Sequence, residues 1–483
     1  MSRLPWLSRR ELAVLAAAFV LTLPAVTPRI YASDEIQYFS YLRSLWFDQD
    51  VSFENEYRRF YDAEIGRGEG FHETFLELRT ETGRRPNFGT IGSAILWAPF
   101  YAAGDAAARI GGAEPDGYST PYVAAVAYGS AFYGFLAVVL GAAIARVVLT
   151  GGGETGRGIE DPTRGGIGVE VAAAMLVWTG TPLLFYMYVA PPYAHAPSAF
   201  AVALFLFVWL HVRRRWTMSG AAALGACGAL MAMVREQDAL FALGPAVDFA
   251  LTTARAVRSS EQPGAALARA TKAAAAGVVA FAIGCVPQLL AYMALNGYPG
   301  PSGLVVRKMS WHSPHALQVL GSPAHGFLVW TPLAVASIAG LAMFAVRERG
   351  GRRRLAVLAL LMLGLQVYVS GAVESWTVAG AFGQRRFVGV TALLVAGLAI
   401  LLRSAPRTVP RVAIGVLLAA CVWWNVGLAA AFGSGLMDRQ RLEPARNAYD
   451  VFVTVPRRLP DLALRYLTDR ETFYRRRSPE ERP

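Results

Sequence analysis

Two adjacent carboxylates, Asp34 and Glu35, stand in Ser33-Asp-Glu-Ile-Gln37 directly after an apolar stretch. A carboxylate at such a boundary can take a proton from an incoming hydroxyl, the task of a general base, with Asp34 the base and Glu35 in support. The same residues also fit a helix start, with Ser33 as cap and both acids at the positive end of the helix dipole. Far along the chain, Ala381-Phe-Gly-Gln-Arg-Arg-Phe387 sets the guanidiniums of Arg385 and Arg386 behind a glycine. A paired Arg fork suits a phosphate better than a Lys point charge does, and anchoring to lipid headgroups is its other use. Arg235, followed by Glu236, Gln237 and Asp238, has the same two uses or pairs internally with an acidic neighbour. His72, Arg84, Arg85, Asn87, His195, Glu374 and Gln384 complete the candidate substrate contacts. His312, His315 and His325 could ligate a metal, but without a cysteine the spacing fits polar substrate contacts better, and neither metal nor cofactor is expected.

These groups must be held by membrane-spanning helices. The 483 residues are 54% hydrophobic and 17% charged, with a mean hydropathy of +0.37, against roughly 45–50% and 25% in an ordinary soluble domain. The runs Pro121 to Ala145, Val171 to Val212, Ala273 to Val306 and Val412 to Met437 contain no Asp, Glu, Lys or Arg, and one crossing takes about 20 apolar residues. The net charge of +12 would point to nucleic acid in a soluble protein. Here it follows loop placement, since Lys and Arg in short loops set orientation, and no nucleic-acid partner is expected. The three cysteines all lie within apolar runs and give no disulfide framework.

With the N-terminus and its Arg3, Arg9 and Arg10 inside, crossings are expected at about 12–28, 121–146, 169–187, 197–212, 217–234, 239–254, 273–295, 326–346, 355–372, 387–403 and 411–432. That makes about eleven transmembrane helices in an all-α polytopic domain over residues 1–432, with 433–483 as an extracytoplasmic tail. The inner loops, Gly151 to Gly168, Arg213 to Trp216, Arg255 to Lys272, Arg347 to Arg354 and Arg403 to Arg411, all carry Arg. Asp248, near the inner end of the crossing at 239–254, is the awkward residue. The first outer loop, about 29–120, is long. Its apolar piece Phe88 to Ala108 reads as an interfacial or re-entrant helix, because a full crossing there would reverse every later loop. Leu459, Leu462, Tyr466 and Phe473 among arginines give the tail a surface-lying amphipathic helix. This topology gathers every candidate polar cluster on the outer face.

An N-terminal span, an acidic pair within Ser33-Asp-Glu-Ile-Gln-Tyr-Phe-Ser-Tyr-Leu-Arg43, and a long outer loop ending in Arg85-Pro-x-x-Gly89 before an apolar juxtamembrane helix resemble, in that order, the GT-C superfamily of membrane glycosyltransferases. The likeness is to its bacterial branch related to protein O-mannosyltransferases and the lipid A aminoarabinose transferase. The resemblance implies a GT-C-like fold and transfer of a sugar from a polyprenyl-phosphate carrier to a glycan, lipid or protein hydroxyl, on the outer face of the cytoplasmic membrane. It further implies Asp34 as the acid of the first outer loop, with Arg385, Arg386 and Arg235 as binders of the carrier phosphate. No second acidic motif of the family is matched. A secondary transporter is the alternative reading, but such folds commonly show paired halves with broken helices at mid-span. This chain shows no internal repeat, and its polar clusters lie on one face.

Overall fold

The computed structural model describes residues 6–66, 68, 70–151, 167–378, 380–405 and 410–470, and among these the chain is helical with no strand. The first helices are α1 (Arg9–Thr22), α2 (Ser33–Arg43), α3 (Glu54–Asp62), α4 (Gly92–Gly111) and α5 (Thr120–Thr150). Next come α6 (Val169–Gly180), α7 (Leu183–Tyr188), α8 (His195–Val212), α9 (Met218–Val234), α10 (Leu243–Ser259) and α11 (Pro263–Asn296). Short helices α12 (Gly303–Arg307), α13 (Ala316–Gly321) and α14 (Phe327–Trp330) precede α15 (Leu333–Arg347), α16 (Gly350–Ala372), α17 (Thr391–Ser404) and α18 (Arg411–Ser434). The tail forms α19 (Pro444–Tyr449) and α20 (Val455–Thr468).

Seven helical stretches among the described residues are long and apolar enough to cross a membrane: Thr120–Thr150, His195–Val212, Glu236–Ser259, Pro263–Asn296, Gly350–Ala372, Arg385–Ser404 and Arg411–Ser434. The protein is an all-α polytopic membrane protein. The expected crossings near 169–187, 217–234 and 326–346 correspond to α6, α9 and α15, which are apolar but shorter. The first expected crossing is α1 extended by a 3-10 turn at Leu23–Ala25. Most of the loop Gly151 to Gly168, the centre of Arg403 to Arg411, and Phe473 lie outside the described residues.

The chain divides into two compact units: Pro28–Leu140 with Ala190–Met309, and Met1–Thr27 with Gly141–Val189 and Ser310–Pro483. In the first, the segment from α2 to α4 is a folded layer. Ile36, Phe39, Tyr41, Phe53, Tyr57, Phe60, Phe71 and Phe75 form a core with Trp97 and Tyr101 of α4, closed by Met233 of α9 and Leu295 of α11. Burying such rings contributes a large apolar area, and the edge-on pairs Tyr41–Phe53 (5.0 Å) and Phe39–Tyr101 (6.0 Å) fix their geometry. α9 and α11 cross backbone to backbone. A Cβ on Gly225 would lie 2.0 Å from the carbonyl oxygen of Gly277.

Asp248 finds its counter-ion just after α8. Arg213 donates through Nε at 2.9 Å, Trp209 donates through its indole at 3.1 Å, and Asp248 is fully buried. A carboxylate this deep is tolerable because it is paired and hydrogen-bonded.

Glu56 of α3 is also fully buried and takes one bond from Arg43 at 3.1 Å. Burial pushes its carboxyl up to about 7, outweighing Arg43, with Asp48 adding to the rise. The folded state therefore favours the protonated acid. Its stabilising contribution is present below the ordinary value near 4.5 and is lost as pH rises through about 7. The unfolding temperature of purified protein is expected to fall between pH 5 and pH 8, at about 1 kcal/mol of stability per pH unit in the steep part. Glu56→Gln, which keeps the acceptor for Arg43, should flatten that slope. An unchanged slope in the variant would assign it elsewhere.

In the second unit, Arg146 ties three helices together, pairing with Glu11 of α1 and Glu170 of α6 from its place on α5 and donating to Trp6 O at 2.9 Å. Gly340 of α15 meets Gly397 of α17 so closely that a Cβ on Gly340 would sit 1.9 Å from the Gly397 oxygen. The tail helix α20 exists as expected. Val455 and Leu462 are buried, Leu459, Leu464 and Leu467 are exposed, and Tyr466 donates to Ala25 O at 2.7 Å and bonds Thr27 at 3.1 Å. The tail thus docks on the residues that follow α1.

Candidate functional site

The Asp34-Glu35 pair divides its work. Glu35 is fully buried and accepts the backbone N–H groups of Tyr31 (2.8 Å) and Ala32 (3.0 Å), so it closes the N-terminus of α2. Asp34, in the same first turn, is half-buried. α2 is then stapled to the segment just before α4. Gln37 accepts from Phe88 N at 2.8 Å, and Asn87 donates to Gln37 O at 3.0 Å while accepting from Gly89 N at 2.8 Å.

The neighbouring arginines are spent in a similar way. Arg85 is 5% exposed and forks onto Glu54 with two 3.2 Å bonds. Bonds from Arg85 and then Arg58 hold the Glu54 carboxyl at about 2. Arg84 donates to Ala294 O at 2.7 Å, and the Thr82 hydroxyl donates to Leu295 O at 2.7 Å, so the segment at 82–84 caps the last turn of α11. His72 lies on the surface, 3.1 Å from Glu77.

Between α8 and α10, Arg235 donates to His195 Nδ1 at 2.9 Å and to Gln237 at 3.1 Å. Arginine can only donate, so the proton of this buried imidazole is on Nε2. Asp238 is fully buried and takes the Ser198 hydroxyl at 2.6 Å. Glu236 is exposed and accepts from the Tyr292 hydroxyl of α11. Tyr41 lies within electrostatic reach of Glu236, and its buried hydroxyl has no hydrogen-bond partner. Burial pushes that phenol well above its usual range, and Glu236 adds to the effect. The tyrosines were not singled out in the sequence. Their only signal there is Tyr38 and Tyr41 at helical spacing beside the acidic pair.

The other unit holds Arg385 and Arg386, both half-buried, at the start of a 3-10 turn, Arg385–Val390, that runs into α17. Arg386 donates to Ser375 O (3.0 Å) and Oγ (3.1 Å). Gln384 is fully buried and donates to His325 O (3.2 Å) and Trp376 O (3.1 Å). Glu374 is exposed. The turn before the pair is strained, since buried Val378 has φ 43°. Gly383 has φ 59°, and a Cβ there would meet Pro182 Cγ at 2.8 Å, just ahead of α7. Gly383→Ala is expected to cost about 1–3 kcal/mol through backbone strain and overlap. A lowered melting temperature in detergent checks this, and an unchanged one would mean that the turn relaxes freely. His315 stacks on Trp376 (5.3 Å) and His325 on Trp330 (5.0 Å). No group of three or more His, Cys, Asp or Glu placed to hold a metal occurs among the described residues.

Within each unit, polar side chains collect beside helix ends and are mostly held by backbone groups. Such fixed donors and acceptors can orient a polar ligand. No family model matches this chain, and no curated protein matches it.

Proposed function

We propose that this protein is a glycosyltransferase that moves a sugar from a polyprenyl-phosphate carrier to a hydroxyl acceptor on the outer face of the cytoplasmic membrane. The observation that carries the reading is the outer loop itself. It is an aromatic-cored layer closed by residues of α9 and α11, with Asp34 in the first turn of one of its helices, whereas a connector between transport helices needs no such core. In the proposed reaction the acceptor oxygen attacks the anomeric carbon, the bond from that carbon to the phosphate oxygen breaks, and Asp34 takes the hydroxyl proton. Arg235, in the same unit as Asp34, is the candidate to bind the departing phosphate, since fixed cations are most effective where charge develops in reduced dielectric, and Arg385 and Arg386 are a candidate carrier-phosphate site within their own unit. His195 orients Arg235 through their bond. Arg84, Arg85 and Asn87 act at one remove by holding the loop and α2.

The deciding experiment is transfer of labelled sugar from a polyprenyl-phosphoryl hexose by purified protein in proteoliposomes. Movement of that lipid across the bilayer without glycosidic transfer would favour a transporter.

The outer placement is supported by the docking of Tyr466 on residues 25 and 27, which puts the chain after α1 and the tail at one end of their unit. Single cysteines near Thr80 and Leu467 are expected to react with an impermeant outside reagent, while those near Arg258 and Arg352 stay protected. Outside labelling at 352 would overturn the orientation.

A further inference from the structure

Around the Arg pair, side-chain amides have spent their donors and kept their acceptors. Gln384 uses both N–H groups on the carbonyls of His325 and Trp376, at 3.2 and 3.1 Å, and its Oε1 is buried with no hydrogen-bond partner. Gln366, near the outer end of α16, repeats the pattern. Its Nε2 donates to Arg386 O and Ser370 Oγ, both at 2.9 Å, and its Oε1 is likewise buried and unpartnered. The carbonyls they donate to fix both amide orientations, because a flipped amide would set oxygen against oxygen. Each residue is fully buried, where an unmade hydrogen bond is costly. The two are linked through one segment, since Gln366 holds the backbone of Arg386 and Gln384 directly precedes Arg385.

Acceptors without donors call for a ligand that donates. A second phosphate oxygen cannot do so, whereas a sugar hydroxyl or an ammonium can. The local charge separates these two. The segment that links the two amides also carries the guanidiniums of Arg385 and Arg386, so a further positive charge there would face two like charges. A cation is therefore disfavoured beside this segment.

We propose that the carbonyl oxygens of Gln366 and Gln384 receive hydroxyl groups of the donor's glycosyl ring, so the transferred sugar is neutral and hydroxyl-rich instead of a cationic amino sugar. This rests on Arg385 and Arg386 binding the carrier phosphate. It adds two sugar-binding residues, one of them, Gln366, inside an apolar span where sequence alone gives it no distinction.

The test uses the full-length protein in lipid nanodiscs and three probes: undecaprenyl phosphate, undecaprenyl-phosphoryl glucose, and an undecaprenyl-phosphoryl amino sugar. The glucose-linked lipid is expected to bind about tenfold more tightly than bare undecaprenyl phosphate, the scale of one well-made hydrogen-bond set, and the amino-sugar lipid no more tightly than the bare one. Gln366→Met and Gln384→Met should each erase the preference for glucose, read as the ratio of glucose-linked to bare-carrier affinity within the same variant. Equal affinity for all three probes by the wild-type protein would overturn the proposal, leave the carrier-phosphate reading standing, and mean that ordered water satisfies the amides. Tightest binding of the amino sugar would also overturn it. Binding of none of the three would defeat the carrier-phosphate reading and the proposal together. The wild-type comparison decides even where a variant fails to fold.

Discussion

Asp34→Asn is expected to lower sugar transfer by about 10²–10⁴-fold, the usual contribution of a positioned general base. Asn matches Asp in size and still accepts a hydrogen bond, but it cannot take up a proton at neutral pH, so the change separates chemistry from shape. Carrier binding and melting temperature should move little. Glu35 already closes the start of α2 with its bonds to the Tyr31 and Ala32 amides, so the helix keeps its cap in the variant. Turnover in the purified variant decides the matter. Near wild-type transfer would refute the base role, and Glu35 could inherit it only by giving up the helix cap.

Replacing Arg385 and Arg386 together with Gln should weaken binding of polyprenyl phosphate by about 10²–10⁴-fold, since two charge-assisted contacts at about 1.5–3 kcal/mol each are lost. Arg386 also holds Ser375 through two bonds, so its replacement loosens the strained turn before the pair. Arg385→Gln leaves those bonds in place. Equilibrium binding to the carrier in nanodiscs reads both effects. Unchanged affinity in the double variant would remove the pair from the phosphate site and move attention to Arg235.

The helical frame was legible in the sequence because long apolar runs and Arg-bearing loops are each produced by the bilayer itself. A helix in the apolar piece before residue 111 and a helix in the tail were legible from pattern alone. What the sequence hid was partnership over distance. Asp248 looked misplaced until Arg213, 35 positions away, closed on it. Arg84, Arg85 and Asn87 looked like ligand contacts because polar residues in an outer loop have no visible partner in a linear reading. In the fold they satisfy carbonyls of Ala294, Leu78 and Gln37 that would otherwise lack bonds. Glu236, Tyr292 and Tyr41 come together from three separate segments, and neither periodicity nor spacing could have joined them.

The glycine crossings described above bear on how the chain is built into the membrane. α9 has 17 residues and α15 has 15, about 26 and 23 Å of helix, short of the roughly 30 Å hydrocarbon core. Neither meets that thickness as an independent insertion unit. Each instead lies backbone to backbone with a partner, α11 or α17, and contact that close comes from dispersion between small residues, which the lipid cannot supply to a helix alone. The marginal helices therefore gain their place when the partner arrives, and that partner follows each of them in the sequence. Deleting α11 or α17 is therefore expected to lower membrane integration of α9 or α15, read by glycosylation mapping of truncated chains.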